Sequence, residues 1–169
     1  MFFLKQKNNL HFFCDNKNIN ENIISVDYVD GFSMLINKEN FKDEDFFDES
    51  FFLYLENTDL CLRTKKRGQN IFIIKNSFID HVGAGSIVSK DLEYLRNWHW
   101  MWSKFYFNKK HYGYLNAFIK IISNLLSAMF KYVFYLILFN SHKKKIYLLR
   151  ILGLYNSIIG KKSWLRIND

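Results

Sequence analysis

An α/β fold followed by a helical tail is what this sequence predicts, and three observations carry it. Short β-branched or alternating runs, SVDYVDGFSMLIN over 25–37 and NIFII over 70–74, read as strands. Between them the apolar positions of 49–68 recur at helical spacing. Beyond Ser86 the chain changes character, into long aromatic and amphipathic stretches with a 3.6-residue period. The organisation that follows is an irregular N-terminal segment over 1–25, an α/β domain over 26–110 and a basic amphipathic helical tail over 111–169.

Composition sets the bounds. The 169 residues are 49% hydrophobic and 19% aromatic, enough for a packed core and too apolar for general disorder. Proline is absent where average usage of ~5% would place about eight. With abundant Asn, Lys, Ile and Phe, this has the look of an AT-rich coding bias, so Lys and Asn counts carry little functional weight. The net charge of +8 is unevenly spread: residues 1–86 carry −3 and residues 87–169 carry +11. A basic second half points to an anionic surface, membrane or nucleic acid. Cys14 and Cys61 are the only cysteines, which excludes a disulfide framework and a cysteine zinc site and fits a reducing compartment. The opening MFFLK is too short an apolar run for a signal peptide.

In chain order, residues 1–25 read as loop with one short strand near the Leu10–Cys14 patch. Residues 25–37 read as a strand or strand pair with Gly31 at a tight spot, and 38–45 as a charged connector. In the 49–68 helix, Phe52, Leu55, Thr58, Leu62 and Lys66 lie one turn apart, and Gly68 follows Lys65, Lys66 and Arg67 as the stop. A strand over 70–74 leads to the glycine-containing loop DHVGAGS. Residues 91–106 read as a helix. In 117–139, long enough to cross a bilayer, Asn116, Lys120, Ser123, Asn124, Ser127 and Lys131 form one polar stripe. Opposite them stand Phe118, Ile121, Ile122, Leu125, Leu126, Met129, Phe130 and Val133. Lysine at mid-span is costly in hydrocarbon, so a helix lying in the membrane interface is the better reading and a tilted span the second. A basic break at 142–145 precedes a last apolar helix over 146–159, interrupted by Gly153.

Chemistry concentrates in FDESFFLYLENTDLCLR, residues 47–63, where charge sits among aromatics. Such charges must be paired, bound to something or placed at a cleft wall. Glu56 and Asp59 are three apart and share a helix face, an arrangement that raises one carboxyl pKa and suits a general base. The plainer alternative is that Asp59 pairs with Arg63 at i+4 and is structural. His81, before Gly83, Gly85 and Ser86, either meets a metal or phosphate or is simply solvated. The aromatics of 98–114, interleaved with Lys104, Lys109 and Lys110, suit single-stranded nucleic acid or a membrane interface. The adjoining amphipathic helix favours the membrane. No P-loop, dinucleotide glycine motif, nucleophile elbow or zincin motif occurs, and the Asp43-x-Asp45 spelling falls in a charged connector.

Read together, VDGFSMLINKENF, FFDESFFLYLENTDLCLR, RGQNIFIIKNSFIDH and GAGS form an ordered series. It resembles the C-terminal half of bacterial family-2 glycosyltransferases, especially the rhamnosyltransferase-like group, over about residues 26–110. The resemblance implies a partial GT-A fold, its acceptor-side half a short mixed sheet with helices. It also implies a nucleotide-sugar donor, a cell-envelope glycan or lipid-linked acceptor, a divalent cation (Mg or Mn) and a place on the cytoplasmic face of the inner membrane. Glu56 matches the family's acid, and the following acid is Asn57 here, which cannot take a proton. The base role then falls to Glu56 or Asp59. Gly31, Asp48, Glu49 and Asn57 are the implied substrate-side residues, His81 the implied metal or diphosphate contact, and Arg63 a brace for the acidic segment. The nucleotide-binding half of such an enzyme has no counterpart before Val29, so the expectation is either a separately encoded N-terminal half as partner or a truncated remnant acting as a non-catalytic peripheral membrane protein; nucleic acid is not an expected partner.

Overall fold

The computed structural model describes residues 2–6, 17–20, 22–41, 45–79 and 89–166. Strands and helices both occur, so the chain is mixed α/β. The described residues form two compact units: one from Met1–Asp48 and Glu56–Gly85, the other from Glu49–Leu55 and Ser86–Asp169.

Among the described residues the first unit is a four-stranded sheet with one α-helix and a short 3-10 turn at Lys38–Phe41. Its strands are β1 (Phe2–Gln6), β2 (Lys17–Asn20), β3 (Ile23–Val26) and β4 (Ile71–Ile79), in the order β1-β4-β3-β2. β4 pairs in parallel with β1 and antiparallel with β3, the latter in the register Ile23↔Ile74 to Val26↔Ile71. Ile71 and Ile73 are buried, alternating as a half-buried strand requires. They join Val26, Val29 and Cys61 in a core that includes the inner face of helix α1 (Glu56–Lys66). The described residues before 27 thus contribute three strands, while the short strand expected near Leu10–Cys14 lies outside the described residues. β1 and β2 are edge strands, held by backbone pairing, which needs no conspicuous apolar pattern. The expected strand over 25–37 ends at Val26; Val29 is buried beyond it by an irregular turn rather than by a pleat. β4 runs to Ile79, further than 74.

Gly68 ends α1 as its position promised. It sits at φ +75°, its N–H donates to Lys65 O, and Gln69 N–H donates to Thr64 O. That pair of bonds is a Schellman stop. The start of the helix differs from expectation: it begins at Glu56, because residues 49–55 belong to the other unit.

The second unit packs three helices, α2 (Lys90–Tyr112), α3 (Tyr114–Ile137) and α4 (Ser141–Ile158). Ser89 caps α2 and Asn140 caps α4, each accepting from a backbone N–H three residues on. With Asn140 as cap, the basic run 142–145 becomes the first turn of α4, not a break. Met101, Phe105, Ala117, Ile121 and Leu154 form the shared core. Lys104 is half-buried among the helices and donates to Asn124 Oδ1 at 2.7 Å; burial, aided by Arg150, lowers its pKa. α3 meets its neighbours along a narrow seam of Ala117, Ile121 and Ala128, and most of its apolar side chains face outward.

Gly153 does not interrupt α4. A Cβ there would lie 2.4 Å from the Trp98 carbonyl oxygen, so the glycine is what lets α4 approach the backbone of α2. Gly68 by contrast has open space around it and needs only its positive φ. Gly153→Ala should therefore cost about 3 kcal/mol through a forced backbone shift, and Gly68→Ala about 1 kcal/mol. Urea unfolding followed by circular dichroism measures both.

Candidate acid–base site

Helix α1 opens with Glu56, Asn57 and Asp59, and the structure gives each a different fate. Asp59 is fully buried, and its Oδ2 accepts from Arg63 Nε at 2.8 Å, one helical turn on. The other guanidinium nitrogens of Arg63 donate to the backbone carbonyls of Asp45 and Phe46. A buried carboxylate answered by a guanidinium is unsuited to collecting a proton from a substrate. The plainer alternative for Asp59 is the one found, which removes it as a base candidate, and Arg63 braces the segment leading to Asp48.

Asn57 is buried too, and both hydrogens of its amide are used. Nδ2 donates to the Tyr28 hydroxyl at 3.0 Å and to Val29 O at 3.2 Å. Tyr28 in turn donates to Asp30 Oδ1 at 2.7 Å. Burial, and then Asp30, push the Tyr28 pKa up to about 12, so the hydroxyl keeps its proton. An Asp at this position would have no hydrogen to offer either acceptor. The amide is therefore a structural bracket between α1 and the 28–30 turn. Gly31 is part of the same bracket: a Cβ on it would stand 3.3 Å from Asn57 Cβ.

Glu56 remains. It is half-buried, and its Oε2 is buried without a hydrogen-bond partner among the described residues. An unsatisfied carboxylate oxygen is uncommon in a folded chain and marks a place where a proton or a ligand group would be welcome. The residues just before it, Tyr54 and Leu55, have φ of 70° and 69°. Left-handed non-glycine residues cost about 1–2 kcal/mol each, and such strain gathers at functional sites.

Residues 51–54 are held by the helical unit. Phe51 meets Tyr106 edge-on, Phe52 lies against His99, and Tyr54 meets Trp100 edge-on. Ser103 Oγ donates to Leu53 O at 2.8 Å. The Arg166 guanidinium covers Phe52 at 3.6 Å, a contact no motif announced. It depends on the C-terminal tail being fixed. Trp102 Nε1 donates to Lys161 O at 2.9 Å, and His99 Nε2 lies 2.8 Å from Leu165 O with Nδ1 3.0 Å from Ser163 Oγ. The carbonyl can only accept, so Nε2 carries the proton and Nδ1 accepts from the serine.

Of the other expected site residues, Asp48 is half-buried in the first unit and Glu49 is exposed in the second. His81 lies outside the described residues, as does the DHVGAGS loop. Among the described residues no group of His, Cys, Asp or Glu comes together to hold a metal ion. Buried Cys61 has its thiol pushed up to about 11, chiefly by burial, and is a core residue. Searches against protein-family models, curated proteins and solved structures return no match.

Arg63→Ala takes the guanidinium from the buried Asp59 carboxylate, and should cost about 3–5 kcal/mol in denaturant unfolding. His99 supplies a pH dependence. Burial holds its pKa below the ordinary 6.5, partly offset by the Leu165 hydrogen bond. The unfolded chain thus takes up this proton at higher pH than the folded one, and stability rises with pH in between. The His99 contribution should be complete above about pH 6.5 and lost progressively as pH falls toward the lower folded value. Thermal unfolding at pH 7 and pH 5 should show the drop, and His99→Gln should flatten it.

Proposed function

We propose that this chain supplies the acceptor side and the proton-accepting carboxylate of a membrane-associated, inverting glycosyltransferase that uses a nucleotide-sugar donor. The observation that carries this is Glu56: of the polar groups opening α1 it alone keeps a buried oxygen unpaired, while Asp59 and Asn57 are consumed internally. The ordered motif series around it supports the same reading. In the reaction, the Glu56 carboxylate takes the proton of an acceptor hydroxyl as that oxygen forms its bond to the anomeric carbon. The bond to the nucleoside diphosphate breaks on the opposite side, with inversion.

The membrane part of the reading rests on α3. It is long and apolar enough to cross a bilayer, at about 36 Å for 24 residues. Leu115, Ile119, Leu126, Phe130, Ile137 and Phe139 are each at least 60% exposed. A contiguous face of that kind marks an interaction surface. Lys120 and Lys131 reach over the Tyr112 and Tyr147 rings, at the flanks of this face, as an interfacial helix would place them. A second reading, a peripheral membrane protein without catalysis, is favoured by Asn57, whose amide replaces the acid of the resembled pattern.

The test uses membranes of the source organism stripped of this chain and resupplied with it. Transfer of labelled sugar from a nucleotide-sugar pool into the lipid fraction should return with the native chain. With Glu56→Gln it should fall ~100-fold or more. Full transfer by the variant would overturn the base assignment. If the native chain restores nothing yet stays on the membrane, the non-catalytic reading holds.

A further inference from the structure

We propose that the helical unit contains a binding site for a phosphate or diphosphate group, distinct from the acid–base site and independent of the sugar-transfer reading. It is a cavity of about 480 Å³ whose lining includes Lys109 on α2 and Lys161, Lys162 and Arg166 on the tail after α4. One carboxylate, Glu49, stands against these four cations. The volume lies within the ~300–1,000 Å³ of ordinary ligand clefts. The chemistry is that of a polyanion with several acceptor oxygens, for which clustered ammonium and guanidinium groups are the natural partners.

A basic run near a chain end is usually a solvated face. Three observations separate this one from that default. First, the cations stand on a fixed backbone. Gly160, at φ +76°, closes α4 with Gly160 N–H donating to Ser157 O and Lys161 N–H to Asn156 O, so the chain turns into the tail at a defined angle. Trp102, His99 and Ser163 then hold the tail down, and Arg166 is oriented by its bonds to Ser163 O and Leu165 O. Ions held in place lose less freedom on binding than ions on a mobile chain. Second, Ser157 lines the cavity at 3% exposure, and its hydroxyl has no hydrogen-bond partner among the described residues. A buried hydroxyl left unpaired is costly, and a phosphoryl oxygen would accept from it. Third, the stacked rings of Trp102 and Tyr106, 4.9 Å apart, form part of the lining and exclude water from one side, which strengthens charge pairing there.

Glu49 gives the site a signature. Its carboxylate opposes an anion, so its neutralisation should strengthen binding where loss of a lysine weakens it. The experiment uses the full chain in a non-ionic detergent, with inorganic pyrophosphate as probe, read by intrinsic tryptophan fluorescence and by titration calorimetry. Saturable binding is expected, at least tenfold weaker in Lys161→Ala/Lys162→Ala and a few-fold tighter in Glu49→Gln. All three side chains are exposed, and an unchanged circular dichroism spectrum confirms that the variants fold. Co-sedimentation with phosphatidylcholine vesicles, with and without phosphatidic acid, identifies the source of the group. A lysine-dependent preference for phosphatidic acid together with pyrophosphate binding assigns a lipid headgroup; pyrophosphate binding without that preference assigns a free phosphate or diphosphate. No binding of pyrophosphate at millimolar concentration, or binding that the double lysine variant leaves unchanged, overturns the proposal. So does vesicle preference without pyrophosphate binding, which would reduce the cluster to diffuse surface charge.

Discussion

A carboxylate sealed from water must be answered by a cation, and in the sheet unit Arg63 answers Asp59. Removing either partner would take away the opposite charge that the other faces. The same guanidinium bonds the carbonyls of Asp45 and Phe46, so one side chain fixes both the middle of α1 and the chain two residues before Asp48. The path into the acidic segment is therefore set by an ion pair. The rest of α1 follows: with Asp59 held inward, Asn57 brackets the 28–30 turn, and Glu56 is left at the helix start with an oxygen unpaired.

Three polar residues within four positions thus do three different jobs. This division is what makes one of them chemically available. The left-handed pair Tyr54 and Leu55 raises the local energy just ahead of it. Edge-on rings at Phe51 and Tyr54, the Ser103 bond and the Arg166 cover offset that cost from the helical unit. A strained approach to a residue is stable only where its surroundings overdetermine it, as they do here.

Much of this was legible in the sequence, wherever the signal was local. Gly68 after three basic residues announced a helix stop, and the i+4 spacing of Asp59 and Arg63 announced a pair. The α3 stripes announced an amphipathic helix. What escaped depended on distant partners. β1 and β2 are strands because β4 and β3 pair with them, not because FFLKQ or KNIN has a strand pattern of its own. Gly153 reads as a break until the Trp98 carbonyl is known to lie beside it. Residues 49–55 continue a helical spacing, yet aromatic capture by α2 overrides it, and the helix begins at Glu56 instead. Asn57 looked like a lost catalytic acid; only Tyr28 and Val29, nearly thirty residues earlier, show what the amide does.

The chain's division has a consequence for how it is made. Residues 49–55 leave the ribosome before α2 exists, yet their partners lie on α2 and, through Arg166, in the closing tail. During synthesis the sheet residues are already present while Phe51, Phe52 and Tyr54 have nothing to rest on. They gain their α2 partners, Tyr106, His99 and Trp100, only some fifty residues later, and Phe52 receives the Arg166 guanidinium more than a hundred residues on. Such a late, long-range closure is slow and exposes apolar surface meanwhile. Arg166 completes a contact with Phe52, more than a hundred residues earlier in the chain.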